Sequence, residues 1–197
     1  MILTVVSLAS PVKAAVSAGD LRNSIVRIEV FDGRDVIRVG SGFVVQGDRF
    51  NGYIVTNAEL VSDADSLTVQ VPTTGAQLVA QVLRTNLSAD YALLKVNGLD
   101  LPALIFARNE PISGEVVWSA AKLGDSDKVT LNKGLLRNGF KLSREEPGWY
   151  QHTAALGVRH GGALLNDCGE ILGLNFTHGA SDGSVRALDH PSLRKFL

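Results

Sequence analysis

Gly157-Val158-Arg159-His160-Gly161-Gly162-Ala163-Leu164 is the stretch on which the reading of this chain turns. Paired glycines stand directly before an apolar run, the mark of a tight backbone passage leading into a strand. Two other stretches precede it in order, Tyr53-Ile54-Val55-Thr56-Asn57-Ala58-Glu59-Leu60 and Ala89-Asp90-Tyr91-Ala92-Leu93-Leu94-Lys95-Val96. Working outward from all three, the same texture repeats. Short apolar segments rich in β-branched residues occupy 24–31, 36–45, 53–56, 66–71, 77–83 and 91–96. A second set follows at 115–120, 129–136, 149–153, 162–165 and 171–176, with glycine and polar turns between. Regularly spaced short strands predict an all-β barrel or sandwich. Helical periodicity is absent except at the end, where His190-Pro191 precedes Ser192-Leu193-Arg194-Lys195-Phe196-Leu197. Proline is tolerated near a helix start because the N–H it lacks would have no intrahelical partner there.

The chain has 197 residues, 45% hydrophobic and 20% charged, as expected of a globular domain or two small barrels sharing an interface. A formal charge of −1, with lysine and arginine scattered, gives no electrostatic reason to expect a nucleic acid or an anionic membrane as partner. The single cysteine, Cys168, excludes an intrachain disulfide and reads as a small residue beside the turn Asn166-Asp167-Cys168-Gly169. Residues 2–9 form an apolar run, and Val12-Lys13-Ala14 or Val16-Ser17-Ala18 could be a small-residue cleavage site. Residues 1–19 therefore read as the remnant of a secretory signal or as an N-terminal arm. A periplasmic or secreted protein without membrane insertion is the expectation, since the run is too short to span a bilayer.

Gly40-Ser41-Gly42-Phe43-Val44-Val45, the Thr56-Asn57-Ala58 segment, the Ala89–Leu94 segment and the Gly161-Gly162 loop together resemble the HtrA/Deg branch of the trypsin-like serine proteases. The resemblance covers nearly all of the chain after Asp20. It implies two six-stranded antiparallel β-barrels, over about 20–107 and 108–187, joined through Arg108-Asn109-Glu110-Pro111 and closed by a short helix over 191–197. HtrA relatives usually continue into a PDZ domain; none is expected within this chain.

In that family the three diagnostic stretches carry histidine, aspartate and serine. Here the base position is Glu59, the aspartate position is Asp90, and the nucleophile position is His160. Val158 replaces a glycine whose N–H helps form the oxyanion hole. The chemistry needs a hydroxyl, a base, a carboxylate that orients the base, and N–H donors for the oxyanion. A carboxyl group with an ordinary pKa near ~4.3 is a feeble base toward an alcohol. Imidazole is not the nucleophile of this mechanism. The expectation is a protease fold without catalytic residues, with Asp90 held by neighbouring backbone amides.

What the resemblance leaves open is the positive role. The first reading is a protein- or peptide-binding module, an extended ligand strand pairing along Asn175, Phe176, Thr177 and His178, although that strand could equally just complete the barrel. A second is a divalent-metal site made by Glu59, Asp90 and His160, against which stands an inert network with protonated His160 between two carboxylates. His152 and His178 flank the cleft and read as surface residues that could add ligands. The third is residual serine-type endopeptidase activity from a relocated nucleophile, Ser41 or Ser143. No cofactor is expected.

Overall fold

The computed structural model describes residues 15–48, 50–122, 128–140, 146–156, 161–176 and 185–197. Among them, β1 (Ile25–Asp32), β2 (Asp35–Gly47), β3 (Asn51–Thr56), β4 (Ser66–Gln70), β5 (Gln77–Asn86) and β6 (Tyr91–Asn97) close one barrel in the order β1-β2-β3-β6-β5-β4. A second barrel runs β10-β11-β12-β9-β8-β7. It is built from β7 (Val116–Lys122), β8 (Val129–Phe140), β9 (Trp149–His152), β10 (Ala163–Asn166), β11 (Ile171–Asn175) and β12 (Val185–Asp189). Every ladder is antiparallel. The all-β, two-barrel architecture expected from the sequence is the one observed.

Alternation within strands sorts the core into three parts. On β1, Val26, Ile28 and Val30 point into the first barrel, where they meet Ile54, Val69 and Leu94. Their neighbour Ile25 faces the other way, into a cluster with Phe43, Val55, Ala163, Leu165 and Leu174 that joins the two barrels. The second barrel's interior holds Val117, Leu136, Tyr150, Leu164 and Leu172. Three short helices complete the fold. Ser17 and Asp20 form a capping box on α1 (Ala18–Leu21), and Val16 N donates to Asp167 O at 3.0 Å, so this segment docks on the second barrel. α2 (Ala58–Val61) follows β3. α3 (His190–Phe196) has Pro191 in its first turn, with Asp189 Oδ1 accepting from Ser192 N at 2.8 Å as its cap.

Two details depart from the sequence expectation. β12 has no counterpart among the predicted strands, because its five residues offer only Ala187 and Leu188 as buried apolar positions behind exposed Arg186. β8 extends four residues beyond the predicted end at Leu136. A bulge between Leu136 and Asn138 lets the ladder continue through a polar stretch that reads as a turn. No helix among the described residues is long and apolar enough to cross a membrane.

Candidate active site at the junction of the barrels

The C-terminal end of β3 delivers Thr56, Asn57 and, on α2, Glu59 to the cleft between the barrels. Thr56 Oγ1 donates to Ser41 O at 2.7 Å, tying β3 to β2. Ser41 is fully buried; its Oγ donates to Lys122 O at 2.7 Å and accepts from Lys122 N at 2.8 Å, which pins β2 to β7 across the barrel boundary. A hydroxyl committed to both backbone groups of one residue is a structural link and has no approach to a substrate.

Asp90 enters from the turn before β6. Asn86 Oδ1 accepts from Ala89 N at 2.9 Å and from Ser88 Oγ at 2.7 Å, and this turn carries Asp90 into the left-handed region at φ 46°. A non-glycine residue there costs on the order of 1 kcal/mol, so the carboxylate is placed against a backbone preference. Asp90 Oδ1 accepts from Glu59 N at 2.9 Å, the backbone-amide bond expected for it. Asp90 and Glu59, two of the three positions brought together by the sequence reading, are thus adjacent. His160 and Val158 lie outside the described residues, as do Ser143, Thr177 and His178.

At the centre of this arrangement is Asn57, to which the sequence assigns no role. It is fully buried, and its Nδ2 lies 3.0 Å from Asp90 Oδ2, 3.2 Å from Asp90 O and 3.2 Å from Asn175 O. Its Oδ1 accepts from Gly161 N. One carboxamide therefore reaches the aspartate turn, the end of β11 and the loop that precedes β10. Its only sequence signal is a polar residue directly after the apolar run of β3, at the start of α2. Gly161 is at φ +69°, and a Cβ there would collide with Ser41 O and Thr56 Oγ1. The glycine of the quoted stretch is needed both for its backbone angle and for close approach.

β11 ends in Asn175, whose N donates to Gly162 O at 2.9 Å; the next residue, Phe176, donates from N to Arg186 O at 2.8 Å. The Phe176 ring is half-buried against Trp149, with centroids 4.3 Å apart. Asn175 Nδ2 donates to Ser119 Oγ at 3.1 Å and Ala163 O at 3.2 Å.

His152 is not the surface residue expected. It lies on β9 between Leu136 of β8 and Val185 of β12, on the same inward face of the strand as Tyr150, and is fully buried. Burial pushes its pKa down to about 4, opposed in part by the neighbouring Asn175 side chain, so the ring is neutral. Among the described residues, no group of three or more His, Cys, Asp or Glu side chains is placed to hold a metal ion. Cys168 is exposed in the turn between β10 and β11.

A double barrel with a half-buried carboxylate reaching the base-position backbone at the junction has counterparts among known proteins. Residues 40–174 match the family model described as a trypsin-like peptidase domain. The chain belongs to this family. It is 32% identical over 147 residues to the probable periplasmic serine endoprotease DegP-like of Pseudomonas fluorescens, covering 72% of this chain and 30% of that protein. It is also 32% identical over 191 residues to the mitochondrial serine protease HTRA2 of Bos taurus, covering 88% of this chain and 40% of that one. The chain thus spans about a third of the length of the DegP-like relatives it matches. Among solved structures it resembles the active form of the Rv3671c protease from M. tuberculosis. That match has a TM-score of 0.75 at 24% identity over 99% of this chain and 92% of that one, and it speaks for the fold alone.

Proposed function

We propose that this trypsin-like, HtrA-branch chain is catalytically inactive and works by binding an extended peptide or protein segment beside Asn175, Phe176, Thr177 and His178. The observation that carries the loss of catalysis is the residue in the base's register. Glu59 follows β3 where the family has histidine, and its N–H is bonded to the Asp90 carboxylate that would otherwise orient the base. A glutamate there leaves Asp90 with an architectural task, and His160 supplies no hydroxyl to attack. Ser41, the one described candidate for a relocated nucleophile, is occupied by Lys122.

For the binding role, the support is the position of Asn175 and Phe176 at the end of a strand bordering the cleft. Their N–H groups complete the second barrel, while Asn175 O accepts from Asn57 Nδ2 at the border of the cleft, and a carbonyl oxygen has a second lone pair for a ligand's N–H. A periplasmic or otherwise exported location accords with the DegP-like relatives, which are named as periplasmic.

Two measurements test this reading. Purified protein should give no labelling with a fluorophosphonate probe and no casein turnover; labelling abolished by Ser41→Ala or Ser143→Ala would overturn the inactive assignment. Pull-downs from periplasmic extract should lose their partner in a Phe176→Asp variant. Because Phe176 also packs on Trp149, Phe176→Leu serves as the folded control, and equal capture by all three proteins would refute this edge as the contact.

A further inference from the structure

The outward face of an antiparallel barrel is ordinarily polar, yet on the first barrel it is apolar along one strip. Phe43, Val55 and Tyr91, on β2, β3 and β6, are buried in the cluster that joins the barrels, and Val45, Tyr53 and Leu93 continue those strand faces at its margin. Beyond that margin, beside the end of α3, they wall a groove of about 310 Å³ that Gln46, Leu83, Arg84 and Leu197 complete. Two bulges serve it. The register shifts between Val44 and Gln46 on β2 and between Val82 and Arg84 on β5, so Val45 and Leu83 are the inserted residues, and both line the groove. Leu83 is left 41% exposed and Leu197 39%, so nothing in the molecule covers this apolar wall. Arg84 is the one charged side chain in the lining. Among the described residues its guanidinium has a single partner, Phe196 O, which accepts from Nη1 at 2.9 Å, and the Phe196 ring is itself stacked on Tyr91 at 4.5 Å. Most of the five guanidinium N–H donors therefore remain for a ligand, and the Gln46 amide and Tyr53 hydroxyl add others.

We propose that this groove binds a medium-chain fatty acid, its carboxylate on Arg84 and its alkyl chain across Val45, Leu83 and Leu93. The site is separate from the peptide-binding reading, since no residue of its wall belongs to the Asn175–Phe176 edge. A guanidinium beside an apolar wall, with no carboxylate among the described lining residues, is complementary to an anionic oxygen pair carrying a hydrocarbon tail. The fold argues against a peptide here. β2, β3, β6 and β5 are consecutive in the closed barrel, so the groove has no strand edge for a peptide main chain to join, and recognition falls to side chains alone. From β2 to β5 is three strand spacings, about 14 Å, close to the extended length of decanoate. A membrane surface lacks support from the formal charge of −1.

The test is isothermal titration of the full chain with hexanoate, octanoate, decanoate and decanol, each below its aggregation limit. Affinity should rise along the three acids by at most about fourfold per added methylene. Decanol should bind at least about tenfold more weakly than decanoate, for want of a charge-assisted bond to Arg84. Arg84→Gln should bring decanoate down to the affinity of decanol. Because Arg84 also holds Phe196 O, Leu83→Glu serves as a second variant: it sets a carboxylate on an exposed bulge residue and should weaken decanoate about tenfold or more with the melting temperature unchanged. Methyl shifts of Leu83 and Leu93 in the unmodified protein, followed by NMR, should move with decanoate while those of Leu136, inside the second barrel, stay fixed. Equal affinity for decanoate and decanol, or undiminished binding by Leu83→Glu, overturns the site. So does binding confined to phosphatidylglycerol vesicles, which would assign the strip to a membrane, and so does binding of none of these ligands.

Discussion

His152 makes the molecule's stability depend on pH in a defined direction. Its ring is neutral and fully buried, with a pKa lowered by burial to about 4 from an ordinary value of 6.5. Between those two values the unfolded chain binds a proton that the folded chain refuses. Stability is therefore full above about pH 6.5, falls as pH drops toward 4, and changes no further from this source once both states are protonated. Integrating between pH 7 and pH 4.5 gives a loss on the order of 2 kcal/mol from this single group, since each tenfold difference in proton affinity between the two states is worth roughly 1.36 kcal/mol. His190, lowered by burial and by nearby Arg194, acts in the same direction, so the unmodified protein should lose more than the His152 share alone. The isolating experiment is urea denaturation of the protein and of His152→Gln, a neutral side chain of similar reach, at both pH values. His152→Gln should cost stability at pH 7 through imperfect packing, and the gap between the two proteins should then narrow or reverse at pH 4.5 by about 2 kcal/mol. An unchanged gap would mean that the ring titrates normally and is solvated, against its burial between β8 and β12.

Two further predictions concern the junction of the barrels. Asn57→Asp removes the Nδ2 donor and sets a second carboxylate against Asp90, which should destabilise the fold by about 2–4 kcal/mol at pH 7. The shared charge raises one carboxyl pKa, so the deficit should shrink as pH falls toward 5; a pH-independent deficit in urea midpoints would argue against a direct Asn57–Asp90 contact. Gly161→Ala should cost about 2–4 kcal/mol, from a positive φ combined with a collision against Ser41 and Thr56. Gly33→Ala, at φ +59° with open space around it, should cost only about 1 kcal/mol, and equal melting shifts for the two would contradict the close packing at Gly161.

Much of this architecture is legible in the sequence because barrel strands announce themselves locally. Val26, Ile28 and Val30 alternate cleanly, and the turn glycines bound each segment. What escaped is whatever depends on a partner far away in sequence. β12 is a strand because β9 and β11 hold it on both sides. Tyr150 and His152 share one face of β9, but that this face turns inward is set by the pairing of β9 with β8 and β12. Of the site, Asp90 and Glu59 could be placed by the resemblance, since their neighbours in the chain carry it. Asn57 could not, because its three partners lie 33, 104 and 118 positions away.

Those three partners bear on what holds a double barrel of this kind together whatever side chain stands at position 59. Among the described residues, Asn57 Nδ2 on Asn175 O, Gly161 N on Asn57 Oδ1 and the Ser41 hydroxyl between Lys122 N and O cross from one barrel to the other, and Asp90 holds Asn57 from within the first barrel. Glu59 gives Asp90 Oδ1 its main-chain N–H, a donor that any residue but proline provides. A change of side chain at 59 therefore leaves that bond in place, whereas replacing Asp90 would take an acceptor from Glu59 N and Asn57 Nδ2, and replacing Asn57 would take the acceptor of Gly161 N. The two kinds of position answer to different physical demands. Asp90 has a bonding task at the junction that does not depend on which side chain occupies position 59.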